Sequence, residues 1–245
     1  MGGVIILKRN DFILMRHSYD DHSYIDGRND TGLTLNGIEI AKSASKTILR
    51  KINSNKVIIR SSSKLRAIET AEIIGEFLLK NGIDCKYVID NGLTELFQGE
   101  FSFNGMSHLQ RINFLQSCWD DFEYNRMHGI LNHRFAQNKD PKIVLSPGEC
   151  HYEWSVRIAN GVLNIIDDLN NSIQSINITH RGAIFEIQKI IEMVNGLISF
   201  EQVEKYNTMW MNYCQDYLLH IHNLDEAKVL TKKYICERKK NEDNN

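Results

Sequence analysis

Short apolar segments alternate with longer amphipathic segments along most of this chain, and this alternation constrains the fold more than any other feature. Four segments have the length and composition of buried strands: residues 12–15, 57–59, 83–89 and 173–179. Three longer segments repeat apolar residues near helical spacing: residues 35–52, 65–79 and about 183–194. Thr34 and a serine of the RSSS segment are the predicted N-caps of the first two helices. We therefore predict an α/β fold, a three-layer α/β/α sandwich with a mixed, mostly parallel sheet.

The alternation predicts one domain over residues 1–236. Residues 96–150 interrupt it with interleaved aromatic and polar residues, and we interpret them as an insertion over the functional site. Residues 237–245 (ERKKNEDNN) are charged and lack apolar side chains, which predicts a disordered tail. The five cysteines are scattered and include no CxxC pair. This pattern argues against a disulfide framework or a zinc ribbon and favours the reducing cytoplasm.

The charge composition limits the classes of partner. A formal net charge of -2 and a pI near 6.5 give no sign of the basic surface that nucleic acids or anionic membranes require. The apolar run at residues 4–7 is too short for a signal-peptide core or a membrane span. We expect no nucleic-acid partner and no membrane partner, and leave a homodimer open.

Candidate functional side chains follow the predicted strands. His17 ends the segment FILMRH and His180 ends the segment IQSINITH. Because parallel strands bring their carboxyl ends to one edge of a sheet, these two histidines are expected to meet there. Arg66 lies in the first turn of the helix after RSSS, where a guanidinium can bind two phosphate oxygens, and Glu95 follows the strand that ends at Ile89.

Six segments resemble, in order, the motifs of the histidine phosphatase superfamily, which includes the phosphoglycerate mutases. Arg16-His17 resembles its leading RHG motif, GRNDTGLTLNGIEIA the segment that follows, and SSSKLRAIETA its SSPLxRAxQTA. LTELFQGEF is similar to its acid loop, PGECHYEWSVRI to its PGES and helical arginine, and THRGAI to its SHGG motif. The resemblance covers most of the chain and implies the phosphoglycerate mutase-like fold.

The resemblance also implies a set of roles. His17 would be the nucleophile that forms a phosphohistidine, Arg16, Arg66 and His180 would surround the phosphoryl oxygens, and Glu95 would protonate the leaving group. Two arginines and a histidine supply the positive charge that phosphoryl transfer needs, so we expect no metal and no other cofactor. We also predict that the second ring nitrogen of His17 donates to a backbone carbonyl, which fixes the neutral tautomer.

Three further residues are candidates for contact with substrate. Ser23 stands where mutase-like members have an asparagine that touches phosphate, although a hydroxyl in a polar loop is commonly a turn former. Arg28 either lines the mouth of the site or belongs to a solvated loop. Arg181 follows the second histidine, where a small residue or Asn is common, and either adds charge to the pocket or points away from it.

Other positions also depart from the family pattern. Ser18, Ser63 and Cys150 replace its usual Gly, Pro and Ser. Leu96 and Phe97 follow Glu95 where the mutases carry Arg and His, which favours a phosphatase over a mutase. The sequence thus predicts a metal-independent phosphatase that hydrolyses a small phosphomonoester. The alternatives are mutase-type phosphoryl transfer and a phospholigand-binding protein without catalysis, and a metalloenzyme would be recognised by its sensitivity to a chelator.

Overall fold

A computed structural model describes residues 7–20, 30–96, 101–103, 107, 109, 143–145, 149, 151–203 and 214–243. Seven strands occur in these residues: β1 Asp11–Arg16, β2 Lys56–Ser61, β3 Asp84–Ile89, β4 Phe101–Phe103, β5 Ile143–Leu145, β6 Gln174–Thr179 and β7 Asp216–His220. The helices are α1 Leu35–Lys51, α2 Leu65–Lys80, α3 His151–Asn170, α4 Arg181–Val194, α5 Phe200–Val203 and α6 Leu224–Asp243, and a 3-10 turn covers Asn91–Leu93.

The main sheet has five strands in the order β3-β2-β6-β1-β7. The first four are parallel to their neighbours, and β7 pairs with β1 in the antiparallel sense. This mixed, mostly parallel sheet confirms the predicted α/β class.

Helices cover both faces of this sheet. Alternate strand residues such as Ile13, Met15 and Ile176 pack with buried residues of α1 and α2 in one apolar cluster. Arg60 of β2 points to the other face, where its Nε donates to Asp168 of α3 over 2.6 Å. The α4 helix packs on β1 and β7. Three layers therefore form, because the strands β1, β2 and β6 bury side chains on both faces of the sheet.

The helix starts agree with the predictions only in part. Thr34 caps α1, and its Oγ1 accepts from the Gly37 N–H over 3.0 Å, as predicted. The residue at the N-cap of α2 is Lys64 rather than a serine, and its side chain makes no cap hydrogen bond. Ser62 lies just outside the helix, and its Oγ accepts from the Lys64 N–H instead. A serine of RSSS thus binds a backbone N–H at the helix start, but it lies two residues before the N-cap.

The carboxyl end of the chain also differs from the prediction. The α6 helix continues to Asp243, where the charged composition predicted a disordered tail from residue 237. Glu, Lys and Arg are good helix formers, and a helix that has already begun extends at little cost. Arg238, inside the predicted tail, is buried.

The chain divides into two compact units. The first comprises Met1–Asp21, Thr31–Glu95 and Arg157–Ile235, and it contains the five-stranded sheet. The second comprises His22–Asp30, Leu96–Val156 and Cys236–Asn245, and within it β4 and β5 form an antiparallel pair. The predicted organisation, one domain over 1–236 with an insertion at about 96–150, stays a prediction. No helix in the described part of the chain is long and apolar enough to span a membrane.

Candidate active site

His17 and His180 lie side by side because β1 and β6 are parallel neighbours in matched register. Arg16 is paired with Thr179, so each histidine is the first residue after its strand. The His17 N–H donates to the Thr179 carbonyl over 2.8 Å, and the two ring centroids are 5.0 Å apart. Both side chains are almost fully buried, with 3% and 2% of their surface exposed. The predicted meeting of the two histidines at one sheet edge is confirmed.

Hydrogen bonds fix the tautomer of His17. Its Nδ1 lies 2.7 Å from the Ser18 carbonyl oxygen, which can only accept, so Nδ1 carries the hydrogen. Its Nε2 accepts from Arg66 Nε over 3.2 Å. The predicted bond between the second ring nitrogen and a backbone carbonyl is confirmed, and Nε2 keeps the lone pair.

Arg66 connects the two histidines. It is the second residue of α2, and its Nη2 lies 3.3 Å from His180 Nδ1 while its Nε contacts His17. Because a guanidinium can only donate, His180 Nδ1 accepts and His180 Nε2 carries the hydrogen. That hydrogen points to Ser62 Oγ, 2.7 Å away. Both imidazoles are thus held neutral around one cation.

Burial is the main cause that lowers the pKa of His180 well below its usual value, and a proton on His17 and the charges of Arg66, Lys64 and Arg16 act in the same direction. Each of these groups opposes a second proton on the ring. A phosphate that enters between the cations would reverse this balance, since an anion favours the charged imidazolium.

The loop after His17 is anchored to two helices. Ser18 is fully buried, its N–H donates to Thr70 Oγ1 over 3.0 Å, and its hydroxyl donates to the Gly37 carbonyl over 2.6 Å. A side chain at Gly37 would overlap the Tyr19 carbonyl oxygen, so this close approach requires glycine. The serine that replaces the usual glycine therefore directs its hydroxyl to the α1 backbone, where it holds the loop in place.

Glu95 is held at the amino end of α4. Its Oε2 accepts from the Gly182 N–H over 2.9 Å, two residues beyond His180. A backbone N–H in the first turn of a helix favours a carboxylate at this position. Glu95 is therefore tied to the same helix start that follows the second histidine.

Arg157 of α3 clamps the loop that carries Glu95. Its Nη1 donates to the Asn91 and Thr94 carbonyls, the latter over 3.0 Å, and its Nη2 donates to the Glu95 carbonyl over 3.2 Å. One guanidinium thus binds three backbone carbonyls of this loop, of which the Asn91 carbonyl also accepts from the Thr94 N–H.

The same face of α3 contacts the rest of this loop. Gly161 lies against Gly92 so closely that a side chain on either would overlap the other backbone. Asn164 Nδ2 donates to Asp90 over 2.9 Å, and Asp90 Oδ1 in turn accepts from the Gly92 N–H over 2.8 Å. Positions 157, 161 and 164 repeat at helical spacing, so residues 90–95 pack on one face of α3.

The remaining predicted residues differ in their exposure, and two of them lie outside the described part of the chain. Arg16 is the last residue of β1 and is partly buried. Arg181 is exposed and begins α4 directly after His180. Ser23 and Arg28 lie outside the described residues. Ser63 is exposed, and its Oγ lies 3.2 Å from Thr94 Oγ1 at the acid loop.

A model of the histidine phosphatase superfamily (branch 1) matches residues 12–192. The chain belongs to the histidine phosphatase superfamily. It is therefore an enzyme of the histidine phosphatase type. None of the curated protein sequences shows significant similarity to this chain.

Solved structures of histidine phosphatases share the fold. The native mycobacterial glucosyl-3-phosphoglycerate phosphatase has a TM-score of 0.59 at 18% identity, over 89% of this chain and 94% of that chain. Its complex with VO3 has a TM-score of 0.62 at 17% identity, over the same shares of 89% and 94%. The alpha-ribazole phosphatase from Shigella flexneri has a TM-score of 0.52 at 16% identity, over 87% of this chain and 96% of that chain.

The sequence did not indicate every residue of this histidine phosphatase site. Asp20 is buried with its Oδ2 3.6 Å from Arg66 Nε, and neither this contact nor the one between Ser62 and His180 was predicted. Asp20 lies only three residues after His17, but its sequence context does not indicate a contact with Arg66. Among the described residues, no group of three or more His, Cys, Asp or Glu side chains is arranged to hold a metal ion.

Proposed function

We propose that this chain is a metal-independent phosphatase that hydrolyses a small phosphomonoester through a phosphohistidine on His17. The observation that carries the proposal is the tautomer of His17. Its Nδ1–H is committed to the Ser18 carbonyl over 2.7 Å, and its Nε2 lone pair faces the Arg66 guanidinium. A neutral nucleophile aimed at a phosphate-binding cation is the arrangement that attack on phosphorus requires.

In the first step His17 Nε2 attacks phosphorus and the bond to the leaving oxygen breaks. The leaving oxygen takes a proton from Glu95, so a neutral alcohol departs and Glu95 becomes a carboxylate. Arg66, His180 and Arg16 stabilise the charge on the equatorial phosphoryl oxygens. The ring keeps its Nδ1 hydrogen and becomes a phosphoimidazolium.

In the second step water attacks the phosphoryl group. The Glu95 carboxylate takes a proton from the water, the N–P bond breaks, and its electron pair returns to Nε2. Inorganic phosphate leaves and both residues regain their initial protonation states. The hydrogen bond from the Gly182 N–H to Glu95 Oε2 supports the carboxylate form that this step consumes.

Composition and the cations of the site support a proposal for the substrate class. A net charge of -2 argues against a polyanionic partner such as nucleic acid, and a single cluster of cations suits one phosphoryl group. We propose a small phosphorylated substrate, with neither nucleic acid nor a membrane as partner. Cytoplasmic location and a homodimer are part of the same proposal.

The test is hydrolysis of p-nitrophenyl phosphate across pH with excess EDTA, for the wild type beside His17→Ala. We expect activity that resists EDTA and falls by at least about a thousandfold in the variant. Quenching with alkaline SDS during turnover should trap a phosphoenzyme in the wild type only, and this phosphoenzyme should be stable in base and labile in acid. Equal activity in His17→Ala would refute the nucleophile, and loss of wild-type activity in EDTA would indicate a metalloenzyme.

A further inference from the structure

Asp20 places a buried negative charge beside the cations of the site. Its side chain is 2% exposed, its Oδ2 lies 3.6 Å from Arg66 Nε, and its Oδ1 lies 4.0 Å from His17 Nδ1. A backbone bridge between Asp20 and Leu33 fixes its position in the loop. The chemistry described above gives this carboxylate no role.

The charge of Asp20 works against phosphate binding. A phosphomonoester is an anion that must sit against Arg66, and a carboxylate on the same guanidinium both competes for it and repels the phosphate. At a few ångströms in a partly buried site, one unit charge changes such an equilibrium by roughly tenfold or more. Asp20 therefore costs affinity for substrate and for inorganic phosphate.

The Asp20 carboxylate becomes favourable when His17 is phosphorylated. In the resting enzyme the ring is neutral, but the N–P bond forms while Nδ1 keeps its hydrogen, so the ring becomes positive. The carboxylate then lies 4.0 Å from a cation instead of a neutral group. Its stabilising effect is larger in the phosphoenzyme, and in the transition state that leads to it, than in the free enzyme.

We propose that Asp20 is a positioning residue that stabilises the phosphohistidine state through His17 and Arg66 at the expense of phosphate affinity. This inference rests on the proposed function, since it assumes that His17 becomes phosphorylated. The contact between Asp20 and Arg66 Nε also helps to orient the guanidinium, whose Nε donates to His17 and whose Nη2 lies against His180.

The experiment compares Asp20→Asn with the wild type. Binding of inorganic phosphate is measured by calorimetry, and kcat is measured with a phosphomonoester. The phosphoenzyme level is measured after quenching with alkaline SDS. We expect phosphate binding to tighten about tenfold while kcat falls about tenfold and less phosphoenzyme accumulates. Asp11→Asn is the matched control, because Asp11 is a buried carboxylate at the amino end of β1 that pairs with His220. It should leave phosphate affinity and kcat unchanged.

Other outcomes overturn the inference. Weaker phosphate binding in Asp20→Asn would mean that Asp20 only supports the fold of the pocket, and unchanged binding with unchanged kcat would mean that its charge is irrelevant. Asp20→Glu keeps the charge and should lie nearer the wild type than Asp20→Asn in both measurements. Asp20→Ser gives the same information if the Asn variant does not fold.

Failure of the proposed function gives a different result. A wild type without phosphoenzyme or turnover would refute the phosphohistidine route. The comparison of phosphate affinity between Asp20→Asn and the wild type needs no turnover, and it still tests whether the carboxylate opposes anion binding.

Discussion

Arg66 Nε donates to His17 Nε2 over 3.2 Å, so the cation contacts the proposed nucleophile at the atom that would attack phosphorus. A phosphoryl group can reach Nε2 only if the guanidinium exchanges this bond for bonds to phosphate oxygens. In the proposed reaction, Arg66 therefore controls access to the lone pair and also binds the substrate. The exchange costs little, because a charge-assisted bond to phosphate is stronger than a bond to a neutral ring nitrogen.

Arg66→Lys should lower kcat/KM by about a hundredfold or more. Lysine keeps the positive charge but cannot bridge two phosphate oxygens or contact both histidines at once. Steady-state kinetics with p-nitrophenyl phosphate checks this, and Arg50→Lys, at an exposed position of α1, is the control with the same exchange. Wild-type kinetics in Arg66→Lys would show that charge alone is sufficient.

Arg157→Lys should lower kcat/KM by a factor that depends on the leaving group of the substrate. The clamp on the Asn91, Thr94 and Glu95 carbonyls positions the acid, so its loss should reduce proton donation. An alkyl phosphate needs that proton, whereas p-nitrophenolate leaves without it. We expect kcat/KM to fall about tenfold more for the alkyl ester than for p-nitrophenyl phosphate, as in Glu95→Gln. Equal losses for both esters would indicate a general structural defect.

Stability should fall in mild acid because the pKa of buried His180 is lowered. Below about pH 6.5 the unfolded chain protonates this histidine while the folded chain does not. The unfolded state then binds more protons. As the pH is lowered, the free energy of unfolding therefore decreases by up to about 1.4 kcal/mol per pH unit, until the pKa of His180 in the folded state is reached. The free energy of unfolding, measured with urea from pH 7.5 to 5, should depend less steeply on pH for His180→Gln than for the wild type. His222→Gln, at an exposed histidine, should keep the wild-type slope.

The sequence predicted those parts of the site that follow from strand and helix order. His17 and His180 meet because parallel neighbours end together, and Arg66 joins them because it lies in the first turn of a helix after the adjacent strand. Both inferences need only periodicity and topology. The family motifs then indicated which of the many histidines and arginines to consider.

The contacts that the sequence missed depend on distant partners. Nothing local marks Asp20 as buried beside Arg66, or Ser62 as a partner of His180, since each contact needs the tertiary fold to bring its two residues together. Arg157 matched a family motif, but its three carbonyl partners lie more than sixty residues earlier in the chain. Local composition likewise failed at residues 237–243, where helix propensity outweighs the charge pattern.

Gly182→Ala should lower the activity of the enzyme without lowering its stability. Gly182 is the second residue of α4 and has no positive φ, so alanine fits the helix and should stabilise the fold by about 0.5–1 kcal/mol or leave it unchanged. Its added Cβ would, however, overlap the Glu95 carboxylate, which must move away from the Gly182 N–H. We expect turnover of an alkyl phosphate to fall about tenfold or more, while thermal unfolding shows no loss of stability.

A double-mutant cycle checks that this loss passes through Glu95. In a Glu95→Ala background the overlap is absent, so Gly182→Ala should have no further effect on turnover. Gly37→Ala provides the contrast, because the group that it would overlap is the Tyr19 backbone carbonyl, which cannot swing aside as a carboxylate can. That variant should lose stability along with activity. Additive losses from Gly182→Ala and Glu95→Ala would show that the glycine acts on the site by another route, such as a shift of His180 at the start of α4.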